Sequence, residues 1–215
     1  MVVRDSMRIL ELFSGTGSFS RVAERMGHET FTVDIDMKQN PSLCKDVLLL
    51  DTKDIPFKPD VIWASPPCEQ YSHAKRRGER RLDEADAFVV KTIGLIKELN
   101  PTYWFMENPQ TGLLKKRKII AELGSIYRFP HKDVSYCKYG LPYRKQTRIW
   151  TNFFGWENRI CKGDCKFIVN GKHIMSVGNG RRKYTQKSVE LNEKYKVPEK
   201  LCEEILRKME LLNRK

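Results

Sequence analysis

Apolar and polar residues alternate along the first half of the chain in a way that predicts strands and helices in turn. Four short apolar runs are typical of buried strands: RILELFS (8–14), HETFTVDID (28–36), PDVIWAS (59–65) and TYWFMEN (102–108). Between and after them, apolar residues recur at helical spacing in SFSRVAERMG (18–27), ADAFVVKTIGLIKELN (85–100) and KKRKIIAELG (115–124). Strands that alternate with helices predict an α/β fold, a mostly parallel sheet with helices on both faces.

The pattern changes near Thr151. Residues 153–188 contain short strand-like runs and many Gly, Asn and Lys, which indicates a small, loop-rich insert. The segment VPEKLCEEILRKMELL (197–212) predicts a closing helix, with Pro198 in its first turn and an apolar stripe formed by Leu201, Ile205, Met209 and Leu212. We therefore divide the chain into a core at 1–152, the insert at 153–188, and a C-terminal helix at 189–215 that packs on the core.

The net charge of the chain indicates what kind of partner it binds. The chain carries 40 Lys and Arg against 27 Asp and Glu, a net charge of +13, and such an excess favours a nucleic acid over a merely soluble basic protein. No apolar run approaches the ~20 residues of a membrane span, and the N-terminal sequence lacks the features of a signal peptide. We expect an intracellular monomer, acting in the cytoplasm or, if virus-encoded, in the nucleus of a host cell.

Four candidate functional groups fall where predicted strands end. They are the GTG turn at 15–17, Asp34, Cys68 and Glu107, and ligands bind beyond the carboxyl ends of parallel strands. Gly15 and Gly17 allow a tight turn, and Asp34 lies about 20 residues beyond them, where an acid accepts hydrogen bonds from ribose hydroxyls. Together they suggest an adenosine-containing cofactor, although an ordinary strand–helix turn and a solvated strand end also fit.

Cys68 follows two prolines at the end of an apolar strand, in SPPCEQYS (65–72). A thiol held at such a junction fits a nucleophile, a metal ligand or a small buried apolar residue. Glu107 and the rigid prolines favour the nucleophile.

At this point the sequence resembles a known family. ELFSGTGSFS, DVIWASPPCEQYS, FMENP and RKQTRIW occur in the order found in DNA cytosine-5 methyltransferases, and the size is similar to that of small virus-encoded members with a reduced target-recognition region. The resemblance implies an S-adenosylmethionine-dependent methyltransferase (Rossmann-like) fold with one antiparallel strand in the sheet. It also implies DNA as substrate and methyl transfer to carbon 5 of a flipped-out cytosine, through a covalent adduct at Cys68.

The resemblance implies roles for individual residues. The catalytic group comprises the nucleophile Cys68, Glu107 at N3 of the base, Asn108, and Arg148, which contacts the cytosine or favours the thiolate. S-adenosylmethionine is expected to contact Phe13, Gly15, Thr16, Gly17, Asp34, Ile35, Asp46 and Pro67. DNA is expected to contact the basic loop through Ser72, Lys75, Arg76, Arg77, Arg80 and Arg81.

Two other functions stay open on the sequence. The same chemistry could act on cytosine in RNA, or the chain could be a catalytically inactive relative that only binds DNA. Binding alone requires neither Cys68 nor Glu107, which favours the enzyme.

The insert carries a possible metal site. Cys161 and Cys165 in CKGDC, followed by His173, offer three zinc ligands, and Cys137 could supply the fourth. A metal could stabilise an insert too small to build its own core. From the sequence we nevertheless expect no bound metal, with loose thiols and an exposed histidine, and keep zinc as the alternative.

Overall fold

The protein folds around one seven-stranded sheet. The structure is a computed structural model that describes residues 6–73, 75, 77–120, 131–177 and 187–213. The strands are β1 (Arg8–Leu12), β2 (Glu29–Asp34), β3 (Leu43–Cys44), β4 (Val61–Ala64), β5 (Tyr103–Pro109), β6 (His131–Ser135) and β7 (Gln146–Thr151). They lie in the order β3-β2-β1-β4-β5-β7-β6, and β7 runs in the direction opposite to that of the other six strands. The predicted sheet, mostly parallel with one reversed strand, is confirmed.

Helices cover both faces of this sheet, as predicted. Four have described bounds: α1 (Ser18–Arg25), α2 (Leu82–Leu99), α3 (Leu191–Tyr195) and α4 (Glu199–Asn213). Apolar residues of α1 and α4 pack on one face of the sheet, and those of α2 pack on the other. In the part of the chain that the structure describes, none of the helices has the length and apolar character that a membrane crossing requires.

Aromatic stacking fixes α1 on the centre of the sheet. The ring of Phe19 on α1 lies 4.5 Å from that of Trp63 on β4, and Trp63 lies 5.5 Å from Phe105 on β5. All three side chains are fully buried, so they hold the strand ends that follow them in a rigid frame.

The structure departs from the predicted elements in three places. Strands β3 and β6 were not predicted, because β3 has two residues and β6 begins with His, Lys and Asp rather than apolar residues. Leu212 is 47% exposed, so the buried stripe of α4 ends at Met209. The helix predicted at 115–124 lies partly outside the described residues, and its first residues form a 3₁₀ turn at Leu114–Lys116.

The insert contains short paired strands. Strands β8 (Ile168–Val169) and β9 (Lys172–His173) form a hairpin, and β10 (Met175–Ser176) pairs in parallel with β11 (Lys187–Ser188). The hairpin turns at Asn170 and Gly171, whose φ angles are 51° and 73°. Asn-Gly suits a two-residue turn in which both residues have positive φ, which explains why the chain reverses there.

A buried carboxylate caps α1. Gly17 begins this helix without a capping side chain, and Glu11 on β1 takes over that task by accepting hydrogen bonds from the backbone N–H groups of Phe19 (3.3 Å) and Ser20 (2.9 Å). The Ser20 hydroxyl donates to the same carboxylate. Burial raises the pKa of Glu11, and these hydrogen bonds only partly offset the rise.

We predict a pH dependence of stability from Glu11. Because its pKa is higher in the folded protein than in the unfolded chain, its stabilising contribution is complete at low pH and is lost as pH rises through the folded-state pKa. Glu11→Gln should remove this loss, so urea-unfolding free energies measured from about pH 4 to about pH 8 should fall less steeply than in wild type. The exposed Glu29→Gln is the control and should follow wild type. Parallel profiles for wild type and Glu11→Gln would contradict the prediction.

Candidate active site at the carboxyl edge of the sheet

The parallel strands bring the predicted groups to one edge. β1 runs into the glycine turn, β2 ends at Asp34, β4 leads into the Cys68 loop, and β5 ends with Glu107, Asn108 and Pro109. Parallel pairing of these four strands makes their carboxyl ends neighbours. The structure thus brings together residues that lie far apart in the sequence.

The Cys68 loop is held from β5. The Asn108 side-chain amide donates to the Pro66 carbonyl at 3.0 Å, and the Tyr71 N–H donates to the Cys68 carbonyl at 3.1 Å. Asn108 is fully buried, so this contact fixes the loop to the strand that carries Glu107. Cys68 itself is half-buried.

The Glu107 carboxylate is buried, and its negative charge is stabilised by a hydrogen-bond donor and by a cation. Its Oε1 accepts a hydrogen bond from the Tyr136 hydroxyl at 2.9 Å and lies 3.6 Å from Lys145 Nζ. Lys145 Nζ also lies 4.9 Å from the centre of the Tyr136 ring. Burial raises the pKa of Tyr136 well above its usual range, so the phenol keeps its proton and acts as the donor.

The same charges act on Cys68. Burial raises the pKa of the Cys68 thiol to about 11, the negative charge of Glu107 adds to the rise, and Lys145 lowers it. The free protein therefore holds Cys68 as a thiol at neutral pH, and a thiolate at this position requires additional stabilisation.

Arg148 lies on the other face of the sheet from Glu107. The antiparallel register pairs Arg148 with Asn108 and Ile149 with Glu107, and neighbouring residues of a strand point to opposite faces. Arg148 forms a bidentate ion pair with Asp133 on β6, at 2.8 Å and 2.9 Å. Among the described residues, the cation beside Glu107 is Lys145 instead.

The glycine turn and Asp34 contact each other directly. Gly15 donates its N–H to Asp34 Oδ2 at 2.7 Å, and Asp36 donates its N–H to Oδ1 at 2.9 Å. Positive φ angles occur at Phe13 (55°), Gly15 (47°) and Gly17 (64°). Phe13 is not a glycine, so its conformation is strained and depends on the surrounding turn.

Other residues that are predicted to bind the cofactor lie in or near the corner formed by the glycine turn and Asp34. Ile35 is 70% exposed, and Asp46 accepts the N–H of Leu48 at the start of a 3₁₀ turn. The Thr16 hydroxyl lies 3.1 Å from that of Ser18, and Pro67 lies in the Cys68 loop.

Some of the basic-loop residues that are predicted to contact DNA form hydrogen bonds within the loop. Lys75 Nζ donates to the Gln70 side chain (2.6 Å) and to the Glu79 carbonyl, and Arg80 donates to the carbonyls of Gln70 and Lys75. Arg81 pairs with Glu84 at 3.2 Å, and Arg77 is exposed. The Ser72 carbonyl accepts the N–H of Lys75, and Arg76 lies outside the described residues.

The C-terminal segment crosses the same edge. The Lys194 carbonyl accepts a hydrogen bond from Lys145 Nζ at 3.0 Å, and Tyr195 donates to Glu69, next to Cys68, at 3.4 Å. The Val197 N–H donates to the Ser18 hydroxyl at the start of α1. Residues near α3 therefore complete a site that the first half of the chain begins.

Lys145 and Tyr136 are the two residues of this site that sequence reasoning missed. Tyr136 follows a strand that was not predicted, and Lys145 lies within RKQTRIW, where the resemblance assigned a role to Arg148. The signal for Lys145 was its position one residue before the QTR segment, but its partners are visible only in the fold.

Comparisons with known proteins point to one family. Residues 7–146 match the family model described as C-5 cytosine-specific DNA methylase. A protein of Frog virus 3 (isolate Goorha), named "Probable DNA (cytosine-5)-methyltransferase", is 33% identical over 228 residues, covering 93% of this chain and 99% of the viral protein. The similarity to a small viral protein therefore extends along almost the whole chain.

Larger proteins match over part of their length. The type II methyltransferase M.AplI of Arthrospira platensis is 28% identical over 159 residues, which cover 67% of this chain and 45% of M.AplI. The crystal structure of S. pombe Dnmt2 methyltransferase aligns with a TM-score of 0.51 at 20% identity, covering 76% of this chain and 57% of that one. This structural likeness supports the fold.

We predict that Cys68 alkylates slowly in the free protein at neutral pH. Its rate of reaction with iodoacetamide should keep rising with pH towards about 11, because the thiolate is the reacting species. Lys145→Met should slow the reaction at a given pH, since it removes the positive charge that lowers the pKa of the thiol. Peptide mass spectrometry separates Cys68 from the exposed Cys44, which serves as the internal reference for reagent access. A Cys68 rate that levels off near neutral pH would contradict the prediction.

Proposed function

The chain belongs to the family of C-5 cytosine-specific DNA methylases, and from this membership we propose how its own residues divide the work. It is a DNA (cytosine-5)-methyltransferase that depends on S-adenosylmethionine. The observation that carries the assignment of roles is the meeting of Cys68, Glu107 and Lys145 at one edge of the sheet.

Cys68 is the nucleophile in this proposal. Carbon 5 of cytosine is too electron-poor to react unaided, and addition of the Cys68 thiolate to carbon 6 makes carbon 5 nucleophilic. S-adenosylmethionine supplies the electrophilic methyl group. Loss of the carbon-5 proton to water and departure of the thiolate then restore the aromatic ring.

Glu107 receives the proton that the Cys68 thiol loses and donates it to N3 of the base, where electron density accumulates as the sulfur adds. Tyr136 fixes one carboxylate oxygen by hydrogen bonding, so the side chain is aimed before the base arrives. Lys145 supplies positive charge to both the thiolate and the developing charge on the base. It takes the electrostatic role that the sequence assigned to Arg148.

Arg148 and Asn108 act by positioning other groups. The Asp133 ion pair keeps β7 in register with β6, and Lys145 directly precedes β7. Asn108 holds the Pro66 carbonyl, and thereby the segment in which Cys68 lies. Both residues support the reacting groups without contacting them in the proposed complex.

The corner formed by the glycine turn and Asp34 fits S-adenosylmethionine. Each Asp34 oxygen already accepts one backbone N–H and has a further lone pair for a ribose hydroxyl. The exposed Ile35 offers an apolar surface for adenine, and Asp46 can accept from its amino group. Phe13, Thr16, Gly17 and Pro67 complete the contact surface.

DNA approaches over the basic loop. Arg77 and Arg81 are exposed and suit phosphate contacts, whereas Lys75 and Arg80 hold the loop in shape through carbonyl oxygens. Ser72 completes this surface. The target cytosine leaves the duplex to reach Cys68, because its ring is inaccessible in stacked DNA.

Other parts of the proposal concern the whole molecule. We place the catalytic core at 1–152 and the insert in the target-recognition position at 153–188, with 189–215 packed on the core. We further propose that the protein acts as a monomer, in the cytoplasm or in the nucleus of a host cell. Cytosine in RNA and a purely DNA-binding role are the competing functions.

Covalent trapping tests the proposed reaction. With S-adenosylmethionine and duplex DNA containing 5-fluorocytosine, wild type should form a denaturation-resistant adduct, because carbon 5 then has no proton to lose. Cys68→Ser should form none and should lose at least ~10³-fold in methyl transfer, while Cys44→Ser should behave as wild type. Trapping only on fluorinated RNA would assign the RNA activity, and no trapping on any nucleic acid would favour the binding protein.

The roles of Lys145 and Arg148 predict different kinetics. Lys145→Met should lower kcat about 10²-fold, because it removes charge from the reacting groups, and should also lower the melting temperature, because it leaves the buried Glu107 without its cation. Arg148→Met should lower the melting temperature, with a smaller loss of kcat, because it breaks the Asp133 pair. Single-turnover methylation and thermal unfolding of both variants measure the difference. The opposite order of kcat losses would return the catalytic role to Arg148.

A further inference from the structure

The four residues named as candidate zinc ligands lie together in the fold. The Sγ atoms of Cys137, Cys161 and Cys165 and a ring nitrogen of His173 all lie within 4.8 Å of one another. They come from separate pieces of chain: a 3₁₀ turn at Tyr136–Tyr139, the CKGDC loop, and strand β9 of the insert hairpin. The three cysteines are not joined by disulfides.

The distances fit a tetrahedral ion. His173 Nε2 lies 3.7 Å from Cys161 Sγ and 3.3 Å from Cys165 Sγ. Zinc at about 2.3 Å from sulfur and about 2.0 Å from nitrogen, with tetrahedral angles, places these atoms about 3.5 Å apart. Three cysteines and one histidine are a complete ligand set for a structural zinc site.

The backbone of the CKGDC loop turns sharply between its two cysteines. Gly163 in this turn has a φ of 90°, which favours glycine. The Asn170–Gly171 turn returns β9 so that His173 faces the CKGDC loop. Nearby, Lys138 Nζ and Asp164 form an ion pair at 2.8 Å that joins the same two pieces of chain.

The segment from 157 to 177 buries few apolar side chains. Within it only Cys161 is buried, while Ile160, Val169 and Ile174 are between 37% and 57% exposed. A segment with no apolar core of its own needs another source of stability. A metal bound to Cys137 on the core side and to three ligands on the insert side supplies it.

We propose that Cys137, Cys161, Cys165 and His173 bind one zinc ion, which fastens the insert to the catalytic core. This inference does not rest on the proposed catalytic roles, because metal content is measured without turnover. The bound ion also fixes the 3₁₀ turn that carries Tyr136, the hydrogen-bond donor to Glu107.

The ion has a consequence for DNA binding as well. β9 and the residues after it line a cleft of about 270 Å³ together with Arg144, directly before Lys145. Lys172 on β9 adds a second positive charge to this cleft. Removing the metal releases β9, so the basic cleft next to the site loses its shape.

Metal analysis of the full-length protein, purified without chelators, tests the proposal. Wild type and Cys44→Ser should each contain about one zinc per chain, and Cys165→Ser and His173→Ala should contain far less. Far-UV circular dichroism shows whether each variant is folded. A folded wild-type protein with six free thiols and no metal overturns the proposal, as does stoichiometric iron in place of zinc or a disulfide among the three cysteines.

Cobalt substitution provides a second readout that misfolding cannot imitate. Cobalt-loaded wild type should show thiolate-to-metal charge-transfer bands and the intense visible bands of a tetrahedral site. His173→Cys, with four thiolates, should keep tetrahedral binding with shifted bands, and His173→Ala should not. Octahedral, weakly coloured cobalt in wild type would overturn the proposed ligand set.

Limited proteolysis reports on the fastening itself. Trypsin should cut after Arg159, Lys162, Lys166 or Lys172 about tenfold faster once zinc is removed by a chelator, because the segment is then free to open. Re-addition of zinc should restore protection in wild type and Cys44→Ser, but not in Cys165→Ser. Equal cleavage with and without zinc would show that the ion does not fasten the insert.

Discussion

A carboxylate buried at the end of β5 constrains the whole edge of the sheet. A buried charge needs partners close at hand, because its desolvation costs several kcal/mol. Glu107 obtains them from a phenol that follows β6 and an ammonium that precedes β7. The segments next to β6 and β7, the two strands beyond the parallel core, therefore stabilise the charge of Glu107 on β5. The reversed direction of β7 is what brings its first residues to the carboxyl edge, where the parallel strands end.

The thiol and the carboxylate oppose each other in the free protein. Burial and the Glu107 charge raise the pKa of Cys68, and one lysine works against both. Such a site reacts slowly with water-borne electrophiles for as long as Cys68 keeps its proton.

Much of the parallel core was predictable because its signals are local. Apolar runs, the glycine turn and the Pro-Pro-Cys segment each lie within a few consecutive residues, and the topology then places their ends together. Lys145, Tyr136 and strand β6 were not predictable, because their importance comes from contacts across 29 or more positions or from pairing partners rather than from their own sequence. The role that the resemblance implies for Arg148 stays a prediction, and the fold shows that this side chain pairs with Asp133 on the opposite face of the sheet from Glu107. The cluster of Cys137, Cys161, Cys165 and His173 was predicted from spacing as one of two alternatives, and the geometry of the chain favours the metal.

One contact connects the site to the order in which the protein is made. The ammonium of Lys145 is fixed by a carbonyl 49 positions further along the polypeptide. A ribosome-bound chain that has not yet released this later stretch lacks the oxygen that holds the ammonium beside Glu107. A nascent chain therefore carries the reacting groups before it carries the contact that positions the lysine.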